Sequence, residues 1–263
     1  MAAPLIRLKR LTPLLLDAWL VDQQLTSAHS SYRLRVWREN RAELDPIRDE
    51  LVAYVDEAFD DARHHLRRGF EDALSPFNDP ATDPAANFPA QLHISTLQGY
   101  FGEILAGMAI EHWGACDNTD WAIPAFLFRI HVVGFQHLDL INERLATGET
   151  HDPDCDSEQR PGRTGDDGLA FRVDEENNIT EFLVIEAKCL GQNRTEKVRD
   201  AHEKLSAGAS QPSGIRELVS LLAEYNTPEA HAWHKALLDL WLSRCQNAVR
   251  HDCIAYACGQ IPA

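Results

Sequence analysis

The sequence predicts an α/β or α+β sandwich with a mixed sheet, preceded by a helical N-terminal region. Three observations lead there. Apolar residues recur at spacings of three and four through residues 47–73. A second, more apolar helical stretch runs from Ser95 to about Trp113. After it the period changes: two strands joined by a polar turn, then helices, then a last strand.

Residues 1–75 read as helical throughout. Pro46 suits the first turn of a helix opened near Asp45. From there Ile47, Leu51, Val55, Phe59, Ala62, Leu66, Phe70 and Ala73 form one stripe, with acids, Arg and His between them. Residues 76–92 hold four prolines and no apolar periodicity, which predicts a linker or surface loop. A domain over 93–263 follows.

Ser95 and Gln98 have capping-box spacing at the start of the next helix. Leu97, Phe101, Leu105 and Met108 line one side of it, and Gly99, Ala106, Gly107 and Ile110 the other. Apolar or small residues on both sides predict a buried helix. Glu103 sits on the small-residue side, where burying a carboxylate is costly unless it is paired or bound to a metal. Residues 125–133 (AFLFRIHVV) read as a strand, 135–145 as a short helix and 147–166 as a polar loop. Strands at 169–173 and 179–189 flank the turn 174–178. Helices follow at about 194–207, 213–225 and 228–249, and 252–258 is a final strand.

Composition excludes several classes. The chain has 263 residues, 44% of them hydrophobic and 25% charged, as a globular protein does. Apolar runs such as Ile123 to Ile130 are too short to span a bilayer, and the basic N-terminus lacks a signal-peptide pattern. Six sparse cysteines without C-x-x-C predict free thiols in a reducing cytoplasm. A net charge of −16 opposes binding nucleic acid or anionic membrane by bulk electrostatics. Lysine is scarce: Lys9, Lys188, Lys197, Lys204 and Lys235 are the full set.

The hairpin carries the chemistry. Glu186-Ala187-Lys188 ends the apolar strand Phe182-Leu183-Val184-Ile185, and alternation puts Glu186 and Lys188 on one face. Folding about the turn sets Val173 opposite Thr180, Phe171 opposite Phe182, Leu169 opposite Val184 and Asp167 opposite Glu186. Facing carboxylates repel, and a divalent cation is the usual remedy. Acid-x-Lys by itself is weak, since about one match is expected by chance in this composition. The conjunction is specific: a strand-end triplet, an Asp at the matching hairpin point and a buried upstream Glu.

These residues resemble the PD-(D/E)XK, or restriction-endonuclease-like, nuclease superfamily. The resemblance rests on Asp167, on Glu186-Ala187-Lys188 and on the helix carrying Gly102-Glu103. It extends to an α-β-β-β-α-β order over about 95–258. Within the superfamily, the Gly102-Glu103 helix and the Glu-Ala-Lys ending look most like nuclease subunits of bacterial phage-defence systems of the Hachiman type. One position departs. The family's Pro before the Asp is here Asp166, so the motif reads Gly165-Asp166-Asp167-Gly168. A one-residue slip would exchange the two acids. The pairing favours Asp167, with Asp166 the alternative.

The resemblance implies Mg²⁺- or Mn²⁺-dependent hydrolysis of DNA phosphodiesters, by an endonuclease of an anti-phage or restriction system. Asp167, Glu186 and the Ala187 carbonyl would hold the metal, Glu103 a second one or the first through water, and Lys188 would be catalytic. Gln192, Arg194 and Arg163 are candidate phosphate contacts. The competing reading is a non-catalytic nucleic-acid- or partner-binding subunit on a nuclease-like fold. Residues 43–61 carry eight acids against Arg48, so the domain is expected to grip DNA weakly alone. That points to a partner such as a helicase/ATPase or another defence-complex subunit, with no membrane.

Rival constellations are weaker. His151-Asp152-Pro153-Asp154-Cys155-Asp156 lacks a second ligand pair at zinc spacing. Gly162-Arg163-Thr164-Gly165 lacks the Lys-Ser/Thr ending of a P-loop and is expected to shape the approach to Asp167. His131, His137, Cys189, Cys253 and Cys258 read as core or surface residues.

Overall fold

A computed structural model describes residues 11–23, 25, 27, 29, 32–68, 85, 88–90, 92–126 and 166–259. The described chain is mixed α/β. It begins with α1 (Pro13–Trp19), β1 (Leu20–Asp22), β2 (Trp37–Glu39), α2 (Leu44–Arg68) and α3 (Ile94–Trp113). It continues with β3 (Gly168–Val173), β4 (Ile179–Leu190), α4 (Thr195–Ser206), α5 (Ser213–Leu222), α6 (Pro228–Leu242) and β5 (Val249–Cys258).

The N-terminal region is not wholly helical. β1 and β2 form a small antiparallel sheet, with Val21 opposite Arg38. The indole of Trp19 donates to Glu39 at 3.1 Å and the Asn40 N–H to the Trp19 carbonyl at 2.7 Å, which ties α1 to this sheet. In α2 the buried stripe is Ile47, Leu51, Tyr54, Ala58, Phe59 and Ala62, with Val55 on its margin. Phe70 and Ala73 of the predicted stripe lie outside the described residues.

Described residues on either side of the 76–92 stretch pack together. Leu16, Trp19, Ile47, Tyr54 and Phe59 share one core with Tyr100, Ile104 and Met108 of α3. From the stretch expected to be a surface loop, Ala85 and Phe88 enter that core, and the Phe59 and Phe88 rings meet edge to face at 5.7 Å. Prolines signal the absence of a helix and leave burial undecided, so Phe88 was the better guide to packing.

α3 is capped two positions earlier than the predicted box. His93 is the N-cap, its Nδ1 accepting from the Ser95 N–H at 3.2 Å, and Ser95 lies inside the helix. At the other end Gly114 has φ +81°, and a side chain there would run into the Asn118 carbonyl. Of the strand expected at 125–133, Ala125 and Phe126 are buried and in no strand. Its remainder, with the helix at 135–145 and most of the loop 147–166, lies outside the described residues. The described contact with β3 comes earlier, where Ala122 and Phe171 exchange two hydrogen bonds of 2.9 Å.

The main sheet has the order β3-β4-β5, with β3 antiparallel and β5 parallel to β4. Leu169 faces Val184 and Phe171 faces Phe182, the predicted register. A bulge after Arg172 moves Val173 onto Ile179 instead of Thr180, next to a turn in which Asn177 has φ +66°. The helix expected at 228–249 stops at Leu242. Arg244 and Cys245 take left-handed φ values of 54° and 59°, and the Cys245 N–H returns to the Leu240 carbonyl at 2.9 Å. The residues so released lengthen β5 to Val249–Cys258.

β4 is the axis of the domain. Its side chains Phe182 and Val184 pack with Leu169, Phe171 and the apolar faces of α5 and α6, including Ile215, Leu218, Trp233 and Leu237. Leu183, Ile185 and Ala187 pack on the other side with Ala170 and with Ala106 and Ile110 of α3. Each large apolar side chain so buried contributes about 1.5–3 kcal/mol. Among the described residues, no helix is long and apolar enough to cross a membrane.

Candidate functional site

The ends of β3 and β4 bring the predicted acids together. The β3–β4 ladder continues one step beyond the strand, where the Asp167 N–H donates to the Ile185 carbonyl at 3.2 Å. Asp167 therefore falls beside Glu186 on the face that carries Leu169, Phe171, Phe182 and Val184. Both acids are deeply buried, with 7% and 2% of their surface exposed. Exposure that low demands compensation for each charge.

Compensation comes from two lysines. Lys188, two residues beyond Glu186 on the same strand face, pairs with Glu186 Oε1, lies 3.6 Å from Asp167 Oδ2 and donates to the Ala187 carbonyl at 3.2 Å. Lys204, from α4, pairs with Glu186 Oε2 and lies 3.4 Å from Asp167 Oδ1. The Ala187 N–H donates to Asp167 Oδ2 at 3.0 Å and locks that carboxylate across the strand end. Two ammonium groups thus face the paired carboxylates.

Lys204 was not among the residues selected from the sequence. The available signals were its place in a set of five lysines and its helical phase. Ala201 and Leu205 are the buried residues of α4, and position 204 lies three residues beyond Ala201 on the flank of that face.

The structure separates the two neighbouring aspartates. Asp166 turns away from the cluster, and its Oδ2 accepts from the Gly214 N–H at 3.1 Å, in the first turn of α5. A carboxylate at that end of a helix meets an unsatisfied donor and the positive end of the dipole. Asp167 alone of the pair contacts the lysines.

Glu103 is buried at 8% exposure, as its position among small residues predicted. It lies on α3, which packs against the Leu183, Ile185 and Ala187 side of the sheet, opposite the face bearing Glu186. Gly102 beside it makes the close approach, since a Cβ there would stand 2.8 Å from the Cβ of Cys189. Among the described residues no three His, Cys, Asp or Glu side chains form a group able to share one metal ion, so Glu103 does not complete such a group with Asp167 and Glu186.

Gln192 and Arg194 are exposed just beyond the end of β4. Their loop is held by Tyr256 of β5, which stands opposite Lys188 in the parallel register. Its hydroxyl accepts from the Arg194 N–H at 2.7 Å and donates to Asn193 Oδ1 at 3.1 Å. Arg163, the Gly162–Gly165 turn, the His151–Asp156 loop, His131 and His137 lie outside the described residues. Cys253 packs with the Ala106–Ile185 cluster, and burial pushes its thiol up to about 12, so it stays neutral and inert at physiological pH. His251 hydrogen-bonds Glu181 at 2.7 Å.

No protein-family model matches this chain. Nor does any curated protein match it in sequence. The functional reading therefore rests on the site itself.

The donor set fits a hard divalent cation. Asp167 and Glu186 present carboxylate oxygens to a common space already shared by two ammonium heads, and the Ala187 carbonyl faces one of those heads. Carboxylate and carbonyl oxygens are the ligand type that suits Mg²⁺ or Mn²⁺.

Proposed function

We propose that this chain is a metal-dependent endodeoxyribonuclease of the PD-(D/E)XK type, working in a bacterial anti-phage or restriction complex. The observation that carries the reading is the convergence of two almost fully buried carboxylates, from the ends of adjoining strands, with a lysine on the same strand face. A purely structural ion pair gains little from such burial, whereas functional sites use it routinely.

Asp167, Glu186 and the Ala187 carbonyl would hold Mg²⁺ or Mn²⁺. Bound there, the metal supplies charge for the scissile phosphate and a more acidic water. Lys188 places its ammonium at the rim of the carboxylates, where it can orient a nucleophilic water or neutralise charge developing on phosphorus. The Ala187 N–H keeps Asp167 in its rotamer. Gln192 and Arg194, on the loop steadied by Tyr256, would meet a backbone phosphate. The −16 net charge leaves delivery of DNA to a partner such as a helicase/ATPase.

A non-catalytic binding subunit is the second reading, and one observation favours it: two carboxylates and two ammonium groups already balance in charge. Plasmid nicking in Mg²⁺ separates the two readings, with the partner encoded beside the gene added if the chain alone is silent. Lys188→Ala and Glu186→Ala should each lower cleavage at least 100-fold, about 3 kcal/mol of transition-state stabilisation. Cleavage unchanged in either variant removes that residue from the catalytic assignment. A wild type that never cuts favours the binding subunit.

A further inference from the structure

We propose that Lys204 is a resident counter-ion which the divalent metal must displace. This rests on the metal-dependent reading above and adds a control element to the same site.

The two lysines divide the carboxylate oxygens between them. Lys188 takes Glu186 Oε1 and Asp167 Oδ2. Lys204 takes Glu186 Oε2 and Asp167 Oδ1. Asp167 Oδ2 is further fixed by the Ala187 N–H. Among the described residues, the other pair, Asp167 Oδ1 and Glu186 Oε2, meets the Lys204 ammonium and no backbone donor. These two oxygens, one from each acid, can turn to a metal without breaking the Ala187 hydrogen bond and without displacing Lys188.

Lys204 is also the lysine that can leave. Lys188 is anchored on the central strand, and its ammonium is held by the Ala187 carbonyl as well as the acids. Lys204 reaches in from α4 on a flexible four-carbon stem and is the more exposed of the two, 36% against 25%. An ammonium and a divalent cation crowded onto the same carboxylate oxygens repel, and each raises the free energy of the other. Metal entry therefore drives the Lys204 head outward, toward the surface where a phosphate backbone would approach. Without metal, Lys204 keeps the acids neutralised and the strand ends together.

Calorimetric titration with Mn²⁺ tests this on the wild type, Lys204→Met and Lys204→Arg. Lys204→Met should bind Mn²⁺ about tenfold more tightly, within the usual range of coupling between two sites. Its metal-free melting temperature should fall, and Mn²⁺ should restore it. Lys204→Arg, which keeps the charge, should retain the wild-type affinity. A measurement on the unaltered protein guards against a misfolded variant: site-resolved acetylation should find Lys204 more reactive in Mn²⁺ than in its absence. Equal affinities in wild type and Lys204→Met, or a Lys204 reactivity indifferent to Mn²⁺, overturn the displacement while leaving the metal site standing. Failure of all three proteins to bind Mn²⁺ overturns the metal site and the displacement together.

Discussion

Asp167 accepts a 3.0 Å hydrogen bond from the backbone N–H of Ala187, so the acid at the start of one strand is pinned to the end of the next. That contact fixes which of two adjacent aspartates belongs to the cluster. Asp166, one residue earlier, is committed to the Gly214 N–H instead.

The consequence is an asymmetric pair of substitutions. Asp167→Asn keeps an oxygen for the Ala187 N–H but removes a charge, leaving two ammonium groups against one carboxylate. Thermal melts in millimolar Mg²⁺ or Mn²⁺ should show the wild type rising in melting temperature, and Asp167→Asn should show no rise. Asp166→Asn keeps an acceptor for α5 and should rise as the wild type does. Asp166→Ala, which loses that acceptor, should be less stable by about 0.5–2 kcal/mol with its metal response intact. The same metal-induced rise in Asp167→Asn and wild type would exclude Asp167 as a ligand.

The contact between α3 and β4 gives a second test. A Cβ on Gly102 would sit 2.8 Å from the Cβ of Cys189, so Gly102→Ala pushes the helix off the strand. Alanine gains up to about 1 kcal/mol in helix propensity, but overpacking of this kind costs about 1–3 kcal/mol. Urea unfolding should show net destabilisation. Adding Cys189→Ala should not cure it, because the clash is with the Cβ that alanine retains. Full recovery in that double variant would mean that the sulfur, not the backbone approach, sets the spacing.

How far these features were legible follows from their physics. The hairpin register was readable because alternation and a short turn leave little freedom, and it placed Asp167 beside Glu186. It failed only at Val173, where a bulge inserts a residue that no periodicity announces. The facing acids and Lys188 were legible, but the second neutraliser was not. Lys204 reaches them from 18 residues beyond Glu186 through the packing angle of α4, a tertiary quantity. The end of α6 was misread because Arg244 and Cys245 adopt left-handed φ without a glycine to signal it. The β1–β2 pair consists of three-residue strands, too short to show a period.

The pairing of Asp120 with Arg172 sets a pH dependence away from the site. Arg172 Nε and Nη2 lie 2.6 and 3.0 Å from the two oxygens of Asp120, joining the segment before Pro124 to β3. The hydrogen bonds from Arg172 hold the Asp120 carboxyl below its usual value. A carboxyl depressed in the folded state stabilises above its unfolded pKa of about 3.9 and loses that contribution as pH falls through the folded value. Asp120 is 52% exposed, so solvent screening limits the pair to about 1 kcal/mol or less. Asp120→Asn should therefore melt slightly below the wild type at pH 6, and the gap should close as pH drops below about 4. Salt at 1 M should narrow the gap at pH 6 as well, because the Debye length there is about 3 Å. A gap that persists undiminished in acid would assign the stabilisation to the shape of the side chain, not its charge.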